Sequence, residues 1–360
     1  MTGLPRKGSK YEIFIEGSAR QRKSSREKQE VVKEISVTVV ITGVAGFIGF
    51  HVAQALLAHH YRVIGVDNLV PYYDPTLKKG RLELLRRHKN FIFKEIDVSL
   101  AENVKAMDPY KKDVRFIIHL AAQPGVRYSM VNPYSYVTAN VMGQLVMLEW
   151  ARTLPGLLHF LYASSSSVYG LNTELPYEES NRVDQPASLY AATKRSAELV
   201  SSSYYHIYGL PLTGLRFFTV YGPWGRPDMA YYMFANCIRE GKPITLYKGK
   251  NLSRDFTYID DVVLAILSIV KKSEEKPAGF QPRAILNIGN HKREAVTDLV
   301  HLLETNLGKK AKINYKDRPV ADMEYTFASI KAMEDDYGWS PTVGLSEGIA
   351  SFVSWYIYFY

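Results

Sequence analysis

Tyr190 and Lys194 stand four residues apart, which on a helix puts a phenol and an ammonium on one face. An ammonium beside a phenol favours the phenolate and lowers the tyrosine pKa from about 10 toward the working range of a proton-abstracting base. The pair alone is a weak signal, because a chain with 26 tyrosines holds roughly two such pairs by chance. Position strengthens it. Ser165 lies upstream, just past the C-terminal end of an expected strand, where open α/β sheets bind their ligands. A second signal is Gly43-x-x-Gly46-x-x-Gly49. Glycines at a strand-to-helix turn allow a tight bend and a close approach of backbone N–H groups to a diphosphate at the helix N-terminus. Asp67 ends the next expected strand, where a carboxylate accepts from adenosine ribose hydroxyls and repels a 2′-phosphate. Together these point to bound NAD rather than NADP, against the plainer alternatives of turn glycines and a strand-end aspartate.

The elements that must hold these residues are legible as an alternation. Val37-Thr38-Val39-Val40-Ile41 is a β-branched, wholly apolar run that suits a strand buried on both faces. Helical character follows over 50–59, then strand 62–66, helix 76–87, and strands 91–96 and 114–119. A long helix is expected over 134–152, a strand over 157–162, a helix over 189–208 and a strand over 212–216. The βαβ rhythm predicts an α/β fold: a doubly wound, Rossmann-type parallel sheet with a smaller mixed α/β C-terminal lobe. The turn-forming run Gly222-Pro223-Trp224-Gly225-Arg226-Pro227 breaks the rhythm, and later elements are expected to be shorter. The expected division is a basic polar tail at 1–35, a nucleotide-binding domain at 36–222 to which 256–262 and 284–290 return, and a substrate lobe at 223–360.

Composition narrows the classes. The chain has 360 residues, 46% of them hydrophobic and 22% charged, enough for a sizeable core. Its longest apolar run, Val37 to Phe50, is too short for a membrane span and contains three glycines. Cys237 is the one cysteine, which excludes a disulfide framework and fits a reducing compartment. Without an apolar leader run, a cytoplasmic location is expected. The net charge of +9 leaves the rest of the chain only mildly basic, since +4 of it falls in the first 35 residues, where nine Lys/Arg face five Glu. That segment reads as a solvated, disordered tail, with a nucleic-acid or membrane-surface role as the less supported alternative. The nine histidines show no ligand spacing, so no metal is expected.

Thr42-Gly43-Val44-Ala45-Gly46-Phe47-Ile48-Gly49, His119-Leu120-Ala121-Ala122, the Ser164–Tyr169 run and Tyr190-x-x-x-Lys194 resemble an extended short-chain dehydrogenase/reductase acting on nucleotide sugars. Within that superfamily the segments Arg216 to Met229 and Arg254 to Asp261 resemble the UDP-glucuronate 4-epimerase branch. The resemblance runs from about Val37 to the C-terminus. It implies catalysis by Ser165, Tyr190 and Lys194, with NAD held by Gly43, Gly46, Phe47, Ile48, Gly49, Asp67 and Asn68. Asp97, Val98, Leu120, Ala121, Ala122, Asn140, Tyr190, Lys194 and Phe217 complete the implied NAD set. Related dehydratases place an Asp-Glu pair, and related decarboxylases a Glu, in the segment that here reads Ser165-Ser166-Ser167-Val168-Tyr169-Gly170, so the resemblance favours epimerisation.

A uronic acid adds a hazard, since a C6 carboxylate β to a C4 ketone loses CO2 readily when the C5–C6 bond aligns with the carbonyl. Ser165, Ser166, Ser167, Thr219 and Arg226 are the matched positions for substrate, with Arg226 gripping the carboxylate through its planar fork. Arg127 faces nicotinamide or substrate, Arg254 and Arg318 meet the UDP diphosphate, and Asp322 takes the uridine ribose. Ser329 stands where the family has an acid. The resemblance also implies a homodimer built on helices 134–152 and 189–208, a UDP-sugar as the small-molecule partner, and neither nucleic acid nor membrane. Two alternatives stay open: a 4-epimerase of neutral UDP-sugars, and a catalytically silent NAD-binding scaffold.

Overall fold

The computed structural model describes residues 37–248, 252–276, 281–317 and 325–360. The expected tail at 1–35, and with it Arg318 and Asp322, lie outside the described residues. From Val37 onward the chain forms one compact unit.

Six strands and their crossovers build the first part: β1 (Thr38–Thr42), α1 (Phe47–Ala58), β2 (Arg62–Asp67), α2 (Pro75–Arg86), β3 (Phe91–Glu95), α3 (Ala101–Val104), β4 (Val114–His119), α4 (Pro133–Tyr136), α5 (Gly143–Ala151), β5 (His159–Ser165), α6 (Leu189–Tyr208) and β6 (Leu212–Phe217). Then follow β7 (Thr219–Tyr221), α7 (Ala230–Glu240), β8 (Pro243–Tyr247), β9 (Ser253–Arg254), β10 (Phe256–Tyr258), α8 (Ile259–Glu275), β11 (Ile285–Ile288), β12 (Glu294–Ala295), α9 (Val296–Leu307), β13 (Lys312–Lys316), α10 (Lys331–Tyr337) and α11 (Leu345–Phe359).

The central sheet has seven parallel strands in the order β11-β6-β5-β4-β1-β2-β3. Chain direction across the sheet reverses between β1 and β4, the switch point at which doubly wound sheets open a crevice beyond their strand ends. All five residues of β1 are buried, because helices cover both faces of the sheet, and this is why the strand reads as an unbroken apolar run. Helix ends are specified locally. Asp74 accepts from Thr76 N at 2.9 Å ahead of Pro75, the first residue of α2. Ser188 caps α6 through Ala191 N at 3.1 Å, and Gly209 closes it with a left-handed φ of 64°.

Three expectations are corrected. The helix expected over 134–152 runs from Pro133 to Ala151 but widens into a π-turn over Val137–Met142, which rotates the residues that follow relative to a regular helix. The strand expected over 157–162 is β5, displaced to His159–Ser165, because its C-terminal half pairs with β6 as far as Ser165↔Phe217. Later helices are not shorter: α8 has 17 residues and α11 has 15. Beyond β6, β11 returns to the central sheet and the other strands pair as three small ribbons, β7 with β10, β9 with β12 and β8 with β13. Leu345, Ile349, Phe352 and Tyr356 form the buried face of α11. Among the described residues no helix is long and apolar enough to cross a membrane.

Candidate active site

The turn after β1 is shaped by what its glycines exclude. Gly43 has φ +71°, and a Cβ there would lie 2.8 Å from Ala121 N; one on Gly49 would lie 2.3 Å from the Gly43 carbonyl oxygen. The loop is therefore packed backbone to backbone. Gly46 is the N-cap of α1 and has no side chain to cap it, so the first N–H groups of the helix stay available to an anion. Asp67, at the end of β2, accepts from Ala45 N (3.1 Å), Leu69 N (2.9 Å) and the buried Lys78 ammonium (3.4 Å). The strand-end carboxylate is thus tied to the glycine loop itself. Asn68 donates to Asp97 at 3.1 Å. Burial raises the Asp97 carboxyl, but bonds from Ser99 and Asn68 outweigh it and leave the group below its ordinary range. A glycine loop that side chains would fill, an uncapped helix and a fixed strand-end acid fit a dinucleotide.

Ser165 ends β5 and caps the short turn Ser166–Tyr169, accepting from Ser167 N at 3.2 Å and from Ser167 Oγ at 3.0 Å. Behind it Ser164 donates to Glu198 at 2.6 Å, and Arg216 grips the same carboxylate at 2.9 and 3.0 Å. This buried pair from α6 and β6 locks the strand end, while the Arg216 guanidinium lies over the Tyr169 ring. In the first turn of α6 Tyr190 is half-buried, and one turn further in Lys194 is buried.

The Lys194 ammonium donates to the Ala163 carbonyl at 2.9 Å, and burial pulls its pKa down to about 8. Burial raises Tyr190 above its ordinary value, while a hydrogen bond with Ser165 and the charge of Arg226 pull it back and Asp228 pushes it up. The edge of the Tyr136 ring contacts Tyr190, with centroids 6.1 Å apart at 81°.

Arg226 lines the cleft, but its fork is already engaged. Nε and Nη2 donate to the two oxygens of Asp228 at 3.0 and 2.5 Å, and Tyr72 donates to the same carboxylate at 3.1 Å. Asp228 thus takes the Nε–Nη2 edge, and a ligand carboxylate would meet the Nη1–Nη2 edge of the same guanidinium. Asn140 is also corrected: it lies behind the cleft wall, bonded to the Gln123 backbone at 2.7 and 3.1 Å and to Thr193 at 3.0 Å, so it holds the Gln123 loop against α6.

Every other expected residue that the structure describes lines one cavity of about 560 Å³ at the carboxyl ends of the sheet strands. Gly43, Gly46, Phe47, Ile48, Gly49, Asp67, Asn68, Asp97 and Val98 form one end. Leu120, Ala121, Ala122, Lys194 and Phe217 form the middle, and Ser165, Ser166, Ser167, Tyr190, Thr219, Arg127, Arg226 and Arg254 the other end. The Arg127 guanidinium sits 5.0 Å from the centre of the Tyr247 ring. Sequence reasoning missed Tyr72, Lys78 and Asp228. Only Asp228 had a readable signal, an acid two residues beyond a loop arginine. Among the described residues no group of three His, Cys, Asp or Glu side chains could hold a metal ion.

Comparison with known proteins fits this geometry. The model of the NAD dependent epimerase/dehydratase family matches residues 39–289. UDP-glucuronate 4-epimerase 1 of Arabidopsis thaliana is 44% identical over 98% of this chain and 84% of its own length. The crystal structure of UDP-glucuronic acid 4-epimerase from Bacillus cereus, in complex with UDP-glucuronic acid and NAD, superposes with a TM-score of 0.82 at 32% identity, covering 90% of this chain and all of the other. UDP-glucose 4-epimerase from Thermotoga maritima gives a TM-score of 0.79 at 29% identity over 89% of this chain and 99% of its own. By cleft, fold and sequence alike, the chain belongs to the NAD dependent epimerase/dehydratase family.

Proposed function

We propose that this chain is a UDP-glucuronate 4-epimerase, interconverting UDP-glucuronic acid and UDP-galacturonic acid through a 4-keto sugar. The observation that carries the reading is the cleft itself: Ser165, Tyr190 and Lys194 converge opposite Arg226, and the strand end beside them bears serines rather than carboxylates. Relatives named for this activity at 44% identity support it. NAD, held by the glycine loop, Asp67 and Lys194, would supply reversible hydride acceptance at C4. The protein does the rest. Tyr190 as phenolate takes the proton of the 4-hydroxyl, and Ser165 hydrogen-bonds the same oxygen. Lys194, fixed by the Ala163 carbonyl, holds the cofactor ribose. Ser166, Ser167, Thr219 and Arg226 keep the C6 carboxylate out of line with the C4 carbonyl.

Arg254, with Arg318 and Asp322, takes the UDP end. The 223–360 segment acts as the substrate lobe, with 256–262 and 284–290 returning to the nucleotide-binding domain of 36–222. Two copies pair through α4, the π-turn that follows it, α5 and α6, a surface on which Tyr134, Val137, Met142, Leu199, Tyr205 and Ile207 are exposed. A cytoplasmic location is consistent with the single cysteine.

One observation favours a second reading, a neutral UDP-sugar as substrate: the Arg226 fork is charge-balanced by Asp228 without any ligand carboxylate. NMR of protein incubated with UDP-glucuronic acid, without added NAD, separates the two. UDP-galacturonic acid without a pentose product is the expected result. A UDP-pentose would mean decarboxylation, turnover of UDP-glucose alone would establish the second reading, and silence on both sugars would leave a scaffold.

A further inference from the structure

Arg81, on α2, is fully buried, and among the described residues no carboxylate pairs with it. Its Nη1 donates to the Ala45 carbonyl of the glycine loop at 2.8 Å and to Tyr73 Oη at 2.8 Å. Its Nη2 donates to the carbonyls of Trp224 at 2.6 Å and Gly225 at 3.1 Å, while Nε is buried without a partner. The carbonyl just before these, that of Pro223, accepts from His51 Nε2 of α1 at 3.0 Å. Burial pulls His51 down to about 4, so the ring is neutral at working pH, and the nitrogen facing a carbonyl is the one that carries the proton. Three consecutive carbonyls immediately ahead of Arg226 are thus tethered to the two helices that frame the cofactor loop. The tethers hold a backbone that would not hold itself, since Trp224 is a bulky residue at φ +57°.

A buried guanidinium balanced only by carbonyl dipoles is costly in a low-dielectric interior, by several kcal/mol for an ion without a counter-charge. An anion that the fold is built to take is the cofactor diphosphate, which goes to the cleft side of the glycine loop, whereas Ala45 and Arg81 are fully buried behind it, so any compensation acts through the loop. We propose that Arg81 is a positioning residue that couples occupancy of the cofactor cradle to the setting of the Arg226 loop, its charge being compensated by the dinucleotide diphosphate and its planar fork fixing the Trp224 and Gly225 carbonyls. The cofactor half follows from family membership alone. The Arg226 half rests on the substrate reading above.

The test compares NAD-depleted and NAD-loaded full-length protein, wild type against Arg81→Gln and Arg81→Lys. In R81Q the depleted protein loses the tethers on the Ala45, Trp224 and Gly225 carbonyls and unfolds below the wild type, and in addition the rise in unfolding midpoint on adding NAD shrinks to about half or less. NAD retained through gel filtration, read from the absorbance ratio, falls with it. In R81K the charge remains and the fork is lost, so the NAD-induced rise persists while kcat on UDP-glucuronic acid drops roughly tenfold. A purely structural arginine would lower both midpoints of R81Q equally and leave the NAD-induced rise unchanged, which overturns the proposal. If R81Q fails to fold, R81K and His51→Gln decide: wild-type kcat in both overturns it, and a drop in both with NAD retained supports it. Because midpoint and retention need no sugar, they stand even if the substrate proves neutral.

Discussion

Arg226 acts on its surroundings in two ways: its charge favours the Tyr190 phenolate, and its fork is held by Asp228, which disfavours that phenolate. Removing the cation leaves Asp228 unopposed, so the tyrosine loses its phenolate at higher pH than before. The expected outcome for Arg226→Gln is that the acid limb of kcat/KM for UDP-glucuronic acid moves upward, while Arg226→Lys moves it less. A pH–rate profile checks this, and an unmoved limb would separate Arg226 from the base. Tyr190 and Lys194 were readable because helical spacing is a local property, and Ser165 because strand ends are where such sheets bind ligands. The role of Lys194 was not readable: whether a four-carbon stem turns to the phenol or to the Ala163 carbonyl is decided by β5, a distant segment. Asn140 was misplaced for a related reason, since the Gln123 backbone it satisfies reaches it only through the tertiary fold.

At the scale of elements, the cofactor site is one strand-turn-helix unit whose tolerance is measured by Gly49. A methyl group there would meet the Gly43 carbonyl oxygen at 2.3 Å, a backbone atom with no freedom to move without opening the loop. Gly49→Ala is expected to cost about 1–3 kcal/mol in stability and to release NAD on gel filtration, measured by chemical unfolding and by the absorbance ratio. The helix pair makes a different prediction. Val137 and Leu199 are half exposed on neighbouring helices, so if the dimer proposed above pairs through them, Val137→Glu with Leu199→Glu lowers the mass seen by light scattering to that of one chain and leaves the cleft intact, while an unchanged mass counts against that pairing. Strand β1 and helix α6 were legible because a buried β-branched run and a Ser-capped, Gly-closed helix are specified by their own residues. The π-turn at Val137–Met142 and the two-residue ribbon of β9 and β12 were not, since neither has a periodicity and both depend on what packs against them.

The whole molecule carries buried titratable groups of opposite sign, and their balance sets its response to acid. His119 and His159 are buried, and burial lowers both from 6.5 to about 3; His51 follows at about 4. As pH falls below 6.5 the unfolded chain protonates these rings and the folded chain does not. The unfolded state then binds more protons, and stability drops by about 1.4 kcal/mol per pH unit for each histidine. Asp255 works the other way. Burial raises it from 3.8 to about 6, even though the N–H groups of Asn290, His291 and Ala328 and the Thr257 hydroxyl donate to it. Between pH 6 and 4 the folded state therefore holds the extra proton, and this one group adds stability as pH falls. Three histidines against one carboxylate leave the histidines ahead, and between pH 6.5 and 6 they act unopposed. Urea-unfolding free energy should accordingly fall steeply from pH 7 to pH 5. His119→Gln, which keeps a polar partner for the Thr42 hydroxyl at 2.7 Å from the ring but does not titrate, should flatten that slope by about one proton. A free energy that stays level or rises over the same interval would mean that these rings take up protons inside the fold, and the balance drawn here would be reversed.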